Sequence, residues 1–113
     1  MRYSKSKYHN IKTSVGGIEF DSALEAKRWK QLELLQRAGV ISSLERQVRF
    51  EILPKLGKHR AKFYVADFTY RDKEGNLVVE DTKGVLTDVF RLKEHLMLYR
   101  YGIEIKLIRK EDV

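Results

Sequence analysis

Apolar residues along this chain switch between two periods, and the switches mark out its elements. From Ser22 to Gly39, Leu24, Leu32, Leu35 and Ala38 recur at helical spacing with Trp29 nearby. Ser22 suits the N-cap, Glu25 the third helical position, and Gly39 the closing glycine after Ala38. The period then changes to two. Gln47–Leu53 places Val48, Phe50 and Ile52 on one face and Arg49 and Glu51 on the other, a half-buried strand stopped by Pro54. Two more strands, Phe63–Arg71 and Leu77–Lys83, flank a turn at 72–76 that carries Gly75 and Asn76. A second helix, capped by Thr87 or Asp88, runs to Tyr101 and ends at Gly102. Its Val89, Leu92, Leu96 and Tyr99 are expected to face the sheet. Ile103–Arg109 is a last short strand, with Ile103, Ile105 and Leu107 on one side. Ahead of all this, Val15–Phe20 reads as a tight turn entering a short strand. Residues 1–14 are polar, basic and aperiodic, a flexible arm that would order on DNA. The expectation is one α/β (α+β) domain over residues 15–113, with the order α-β-β-β-α-β and no repeat or low-complexity segment.

The chemistry concentrates in the hairpin from Phe63 to Gly84. Side chains alternate along a strand, so Asp81 and Lys83 share a face and the hairpin can bring Asp67 beside them. Two carboxylates and a lysine suit hard-metal phosphodiester chemistry. Mg²⁺ takes oxygen ligands and keeps several waters, so one or two protein carboxylates suffice. A lysine beside such a water can orient or deprotonate it. The plain alternative is a cross-strand ion pair of a few tenths of a kcal/mol. Glu25 has two readings as well: the far half of a capping box with Ser22, or a third oxygen for a metal. Spacing alone favours the cap. Gln47 could face the same patch and is left unassigned.

Composition narrows the partner. With 113 residues, a net charge of +7 and no cysteine, the chain has no disulfides or cysteine-based zinc site, which points to a reducing cytoplasm. His9, His59 and His95 are too scattered for a zinc cluster. No apolar run approaches the roughly 18 residues of a membrane span, and no signal peptide opens the chain. The cations are grouped. Arg2, Lys5, Lys7 and Lys12 precede the first acid, Glu19, and Lys55, Lys58, Arg60 and Lys62 form a second acid-free run. Tyr3, Tyr8, Phe63 and Tyr64 lie in or beside these runs, where rings can stack on bases. Nucleic acid is the expected partner, ahead of a merely soluble basic surface. Arg91, Lys93 and Arg100 on the second helix are further cations, some able to face a phosphate backbone.

The order of elements, Asp67, the triplet Asp81-Thr82-Lys83 and the first-helix Glu25 together resemble the PD-(D/E)XK nuclease superfamily, which includes type II restriction enzymes and archaeal Holliday junction resolvases. Gly17–Ser22, Glu25-Ala26, Ala38–Ile41 and Val79–Gly84 are similar to a family of small phage-encoded proteins long catalogued as a domain of unknown function. The similarity runs from about Val15 to Ile108. The resemblance implies a restriction-endonuclease-like core, a mixed central sheet flanked by helices. It implies that Asp67 and Asp81 ligate Mg²⁺ (with Mn²⁺ as a substitute), that Thr82 lends its backbone carbonyl, and that Glu25 joins directly or through water. Lys83 would position or activate the attacking water. Ala66 stands where the family name expects proline, a small departure because the carboxylate carries the chemistry.

These implications add up to a magnesium-dependent endonuclease, a hydrolase that leaves a 5′-phosphate. The chain has no room for a separate sequence-reading domain, so backbone and DNA shape are the expected targets. A Holliday junction resolvase acting in DNA recombination as a homodimer is the first choice, with no small-molecule substrate and a host cytoplasm if phage-encoded. The alternatives are a nicking, flap or restriction-like endonuclease with the same site, or a non-catalytic basic nucleic-acid-binding module.

Overall fold

The structure, a computed structural model, describes residues 12–83 and 85–113. Two short strands, β1 (Thr13–Val15) and β2 (Ile18–Phe20), form an antiparallel hairpin. Then come α1 (Ala23–Arg37), β3 (Ser42–Leu53), β4 (Lys62–Arg71), β5 (Leu77–Thr82), α2 (Asp88–Tyr101), β6 (Lys106–Ile108) and a terminal 3₁₀ turn. The main sheet has the order β3-β4-β5-β6, with β3, β4 and β5 antiparallel and β6 parallel to β5. This is a mixed α+β fold: a four-stranded mixed sheet flanked by two helices.

Local chemistry explains the boundaries. Ser22 Oγ accepts the Glu25 N–H at 3.1 Å and starts α1, as Thr87 Oγ1 does for Phe90 N–H at 3.1 Å in α2. Gly102 closes α2 at φ 68°, a left-handed conformation that costs glycine little. The 72–76 turn is held by Asp72, whose carboxylate accepts from Asn76 N–H at 2.9 Å.

Two cores lie on opposite faces of β5. Val79 joins Phe90 and Met97 of α2, whereas Val78 packs with Ala26, Trp29 and Leu32 of α1. Along β3 and β4, however, residues of one parity serve both cores. Phe50, Ile52, Tyr64 and Ala66 pack beneath α2, while Leu44, Phe68 and Tyr70 pack beneath α1. The change of face falls between Arg46↔Phe68 and Val48↔Ala66, where Gln47 takes φ 55° opposite Asp67. Such an irregularity re-aims a side chain that plain alternation would place elsewhere.

The structure revises several sequence expectations. Of the stripe Val89, Leu92, Leu96 and Tyr99 only Leu96 packs against the core: Phe90 and Met97 are the buried positions, and Val89, Leu92 and Tyr99 are 64%, 59% and 83% exposed. Two apolar stripes share this helix, and periodicity could not say which one meets the sheet. Ala38, expected on the inner face of α1, is exposed at its end. β1 begins at Thr13, inside the expected arm, because β2 supplies it with a hydrogen-bonding partner. Residues 1–11 of that arm, with Arg2, Lys5 and Lys7, lie outside the described residues. β3 starts at Ser42 rather than Gln47, since Ser42 pairs with Arg71 at the far end of β4. The last strand shortens to Lys106–Ile108, and Ile103 and Ile105 pack under α2 ahead of it. No helix among the described residues is long and apolar enough to cross a membrane.

Candidate active site

The β4–β5 ladder ends at Phe68↔Glu80, and one step beyond that pair Asp67 and Asp81 stand opposite one another. Their orientations are fixed by different partners. Asp67 Oδ2 accepts two hydrogen bonds from Thr82, from its N–H at 2.8 Å and its hydroxyl at 2.7 Å. Asp81 Oδ2 accepts from the Tyr64 hydroxyl at 2.8 Å. Charge-assisted bonds of this kind contribute about 1.5–3 kcal/mol each. They leave Asp81 Oδ1 facing Lys83 Nζ at 3.8 Å, and the two carboxyls lie within hydrogen-bonding reach of one another. Lys83 sits just past β5, where its N–H donates to Ile108 O of β6 at 3.1 Å. Its ammonium also lies 4.7 Å from the Phe90 ring centroid, so α2 and β6 together place it.

Glu25 arrives from α1. Its N–H makes the bond to Ser22 Oγ, but its buried carboxylate accepts from Gln47 Nε2 at 3.3 Å. Half of the expected capping box is therefore present, and the acid itself serves the cleft. Asp21, Ser22, Glu25, Asp67, Asp81, Thr82 and Lys83 line an open cleft of about 240 Å³. A neighbouring cleft of about 280 Å³ shares Asp67, Asp81 and Lys83 and is completed by Tyr64, Val65, Thr87, Val89, Phe90 and Lys93.

The electrostatics are those of acids lacking counter-charge. Burial first, then the Asp67 charge, pushes the Asp81 carboxyl up to about 7, with Tyr64 and Lys83 pulling it down. Glu25 is likewise pushed up to about 7 by burial, then by Asp67 and Asp21, against Arg46 and Gln47. The Tyr64 phenol is driven upward by burial and by Asp81, so it remains a donor. Four acids and one lysine line the first cleft. No three histidine or acidic side chains among the described residues close into a ready cage for a metal ion. Two carboxyls that face one another at the edge of an open cleft nevertheless fit a cation that keeps most of its water, as Mg²⁺ does.

Of the residues named from sequence, the fold brings together Glu25, Asp67, Asp81, Thr82 and Lys83. Thr82 holds Asp67 through its N–H and hydroxyl. The basic residues Lys55, Lys58, Arg60 and Lys62 are exposed and lie at the β3–β4 end of the sheet, outside both clefts, and Lys12 is exposed before β1. A strand rise of about 3.4 Å separates Lys62 from Asp67 by about 17 Å. Arg91 and Arg100 are engaged in surface ion pairs, with Glu94 at 3.0 Å and Glu51 at 2.9 Å. Sequence reasoning took Tyr64 for a ring able to stack on bases, whereas it is buried with its hydroxyl on Asp81. It missed Asp21, left Gln47 unassigned, and did not separate Lys93 from the other α2 cations. Lys93 lies three residues after Phe90, so one helical face carries both, but only the docking of α2 reveals that face.

Fold and site together define a small α+β domain with an acid-rich cleft where its central strands diverge. The chain belongs to the family described as "Protein of unknown function (DUF1064)", whose model matches residues 5–110. No curated protein and no solved structure matches the chain.

Proposed function

We propose that the chain is a metal-dependent, structure-specific DNA endonuclease that cuts four-way junctions by paired symmetric nicks. The observation that carries this reading is the meeting of Asp67, Asp81, Glu25 and Lys83 in one open cleft with acids in excess. The same residues are those the PD-(D/E)XK resemblance singles out, and the net charge of +7 suits a polyanion. Asp67 and Asp81 would hold Mg²⁺ or Mn²⁺, with Glu25 joining directly or through water. The bound ion would polarise the scissile phosphoryl group and acidify a water.

The chain's own groups do the remaining work. Tyr64 and Thr82 fix the two aspartates, so that little reorganisation is needed when a phosphate arrives. Lys83 keeps its ammonium beside Asp81, where it can donate to the attacking water or to a non-bridging phosphate oxygen. Water adds to phosphorus in line with the leaving 3′-oxygen, which takes up a proton and leaves a 5′-phosphate on the other fragment. Lys93, at the rim of the second cleft, meets the phosphate backbone next to the cut. The exposed cations from Lys55 to Lys62 bind the duplex farther along, by charge and shape rather than base sequence.

The test compares four-way junctions, flaps and linear duplex, each with Mg²⁺ and with EDTA. Symmetric, metal-requiring incision of the junction is expected, with Asp81→Asn losing cutting and keeping binding. Equal cutting of linear duplex would remove the junction assignment and leave a general endonuclease. Binding without cutting under every condition would leave a non-catalytic nucleic-acid-binding module.

A further inference from the structure

The stripe that α2 turns away from the sheet has its own regularity. Val89, Leu92, Leu96 and Tyr99 are spaced three, four and three residues apart, and exposed Val85 precedes them by four. This is the alternating spacing by which one helix packs along another at a shallow angle. Only Leu96 of the four helical positions is partly covered, packing at the edge of the core beneath α2. A surface helix with apolar residues on its outer face is an interaction surface. Two heptads are too short for a free coiled coil, but this helix is already held in place by Phe90 and Met97.

We infer that α2 pairs with α2 of a second copy of the chain, in parallel, across a two-fold axis. The flanking charges select that occupant and that direction. In a parallel pair, the residue before one seam position faces the residue five further along the other helix. That rule sets Asp88 against Lys93 of the partner subunit, an opposite pair made twice by symmetry, and His95 against Arg100 of the partner subunit, whose charge Glu51 of its own chain already answers. An antiparallel pair sets Lys93 against Arg100 of the partner subunit, two cations. Arg100 is also occupied by Glu51 at 2.9 Å, which leaves Lys93 and Asp88 to decide. Val89 belongs both to the seam and to the cleft rim, so the pairing sets two clefts on either side of the axis. It supplies the two-fold arrangement that paired nicking uses, yet its evidence is α2 alone and its test contains no DNA or metal. The dimer and the nuclease reading can therefore fail separately.

Sedimentation equilibrium of the full chain across a wide concentration range is expected to give twice the 13.3 kDa chain mass. The double variant Leu92→Glu/Tyr99→Glu is expected to sediment at the single mass with an unchanged far-UV circular dichroism spectrum, because both side chains lie on the solvent side of each subunit. Since the chain has no cysteine, Tyr99→Cys gives a clean cross-linking probe. Oxidation should join like positions in a parallel seam and leave an antiparallel one unlinked. Asp88→Lys and Lys93→Asp should each weaken the dimer at least tenfold, and the double exchange should restore it. A chain that stays monomeric, or a dimer that survives the double glutamate variant, overturns the inference. So does a monomer that binds phosphatidylserine vesicles through this stripe, which would make a bilayer surface the occupant.

Discussion

Glu80 and Asp81 are neighbours on β5, both buried, and they point to opposite faces of the same strand. Glu80 is fully answered. Arg28 of α1 grips it with two hydrogen bonds, at 2.8 and 2.7 Å, and Tyr70 donates a third. Gln31 takes another Arg28 nitrogen at 2.9 Å, so the network is closed. Asp81 receives one phenol, faces a second carboxyl, and has its ammonium no nearer than 3.8 Å. Burying a charge costs several kcal/mol unless partners compensate. On the Glu80 face the fold compensates within itself, which is what a structural acid looks like. On the Asp81 face it leaves the charge open to a cleft, which is what a binding or catalytic acid needs.

The largest difference between the faces should appear in activity. Asp81→Asn is expected to reduce metal-dependent cleavage by at least about 10²–10³-fold, the loss that follows removal of one preorganised electrostatic group. Glu80→Gln should behave in the opposite way. Breaking a buried pair from one side costs about 3–5 kcal/mol, so denaturant unfolding should show a large stability loss, with incision by the folded fraction retained. If Glu80→Gln kept full stability and lost cutting, the contrast between the two faces would collapse.

A smaller effect concerns pH. Glu25 and Asp81 have folded pKa values raised to about 7, above the ordinary carboxyl range near 4. Between those values the folded chain holds more protons than the unfolded one, so the metal-free protein should lose stability as pH rises from about 4 to 7. Thermal melts at pH 5 and pH 8 read this directly. Mn²⁺ should raise Tm more at pH 8, where the carboxyls are ionised, than at pH 5. Asp81→Asn should raise the metal-free Tm at pH 8 by about 4–8 °C for each 1 kcal/mol of repulsion removed. A metal-free Tm independent of pH would place compensating charge in the cleft and end the contrast with Glu80.

Smallest is the effect of the rim. Lys93→Ala, which removes a rim cation and also the seam partner of Asp88, should slow junction cutting about tenfold and lower the salt slope of binding by about one ion. Arg91→Ala, which removes only an exposed pair with Glu94, should change stability by under about 1 kcal/mol and leave the slope nearly unchanged. Equal effects from the two would remove Lys93 from the site.

The sequence by itself determined the element order from α1 onward, the Ser22 cap, the closing glycines and the places of Glu25, Asp67 and Asp81 in the elements. Those features rest on local physics: a hydroxyl accepting an N–H three residues on, a glycine at positive φ, a period of two or of 3.6. Tertiary structure decided what local rules leave open. It chose which of the two apolar stripes of α2 meets the sheet, turning Phe90 and Met97 inward and leaving Val89, Leu92 and Tyr99 outside. The change of face at Gln47 and Asp67 is a property of two paired strands, so neither strand alone displays it. It also gave two adjacent acids opposite fates, because Arg28 reaches β5 from one side only and Asp81 meets Asp67 on the other. Charge compensation is a property of space rather than of spacing, and that is why alternation could set Glu80 and Asp81 on different faces but could not say which of them is answered by a partner.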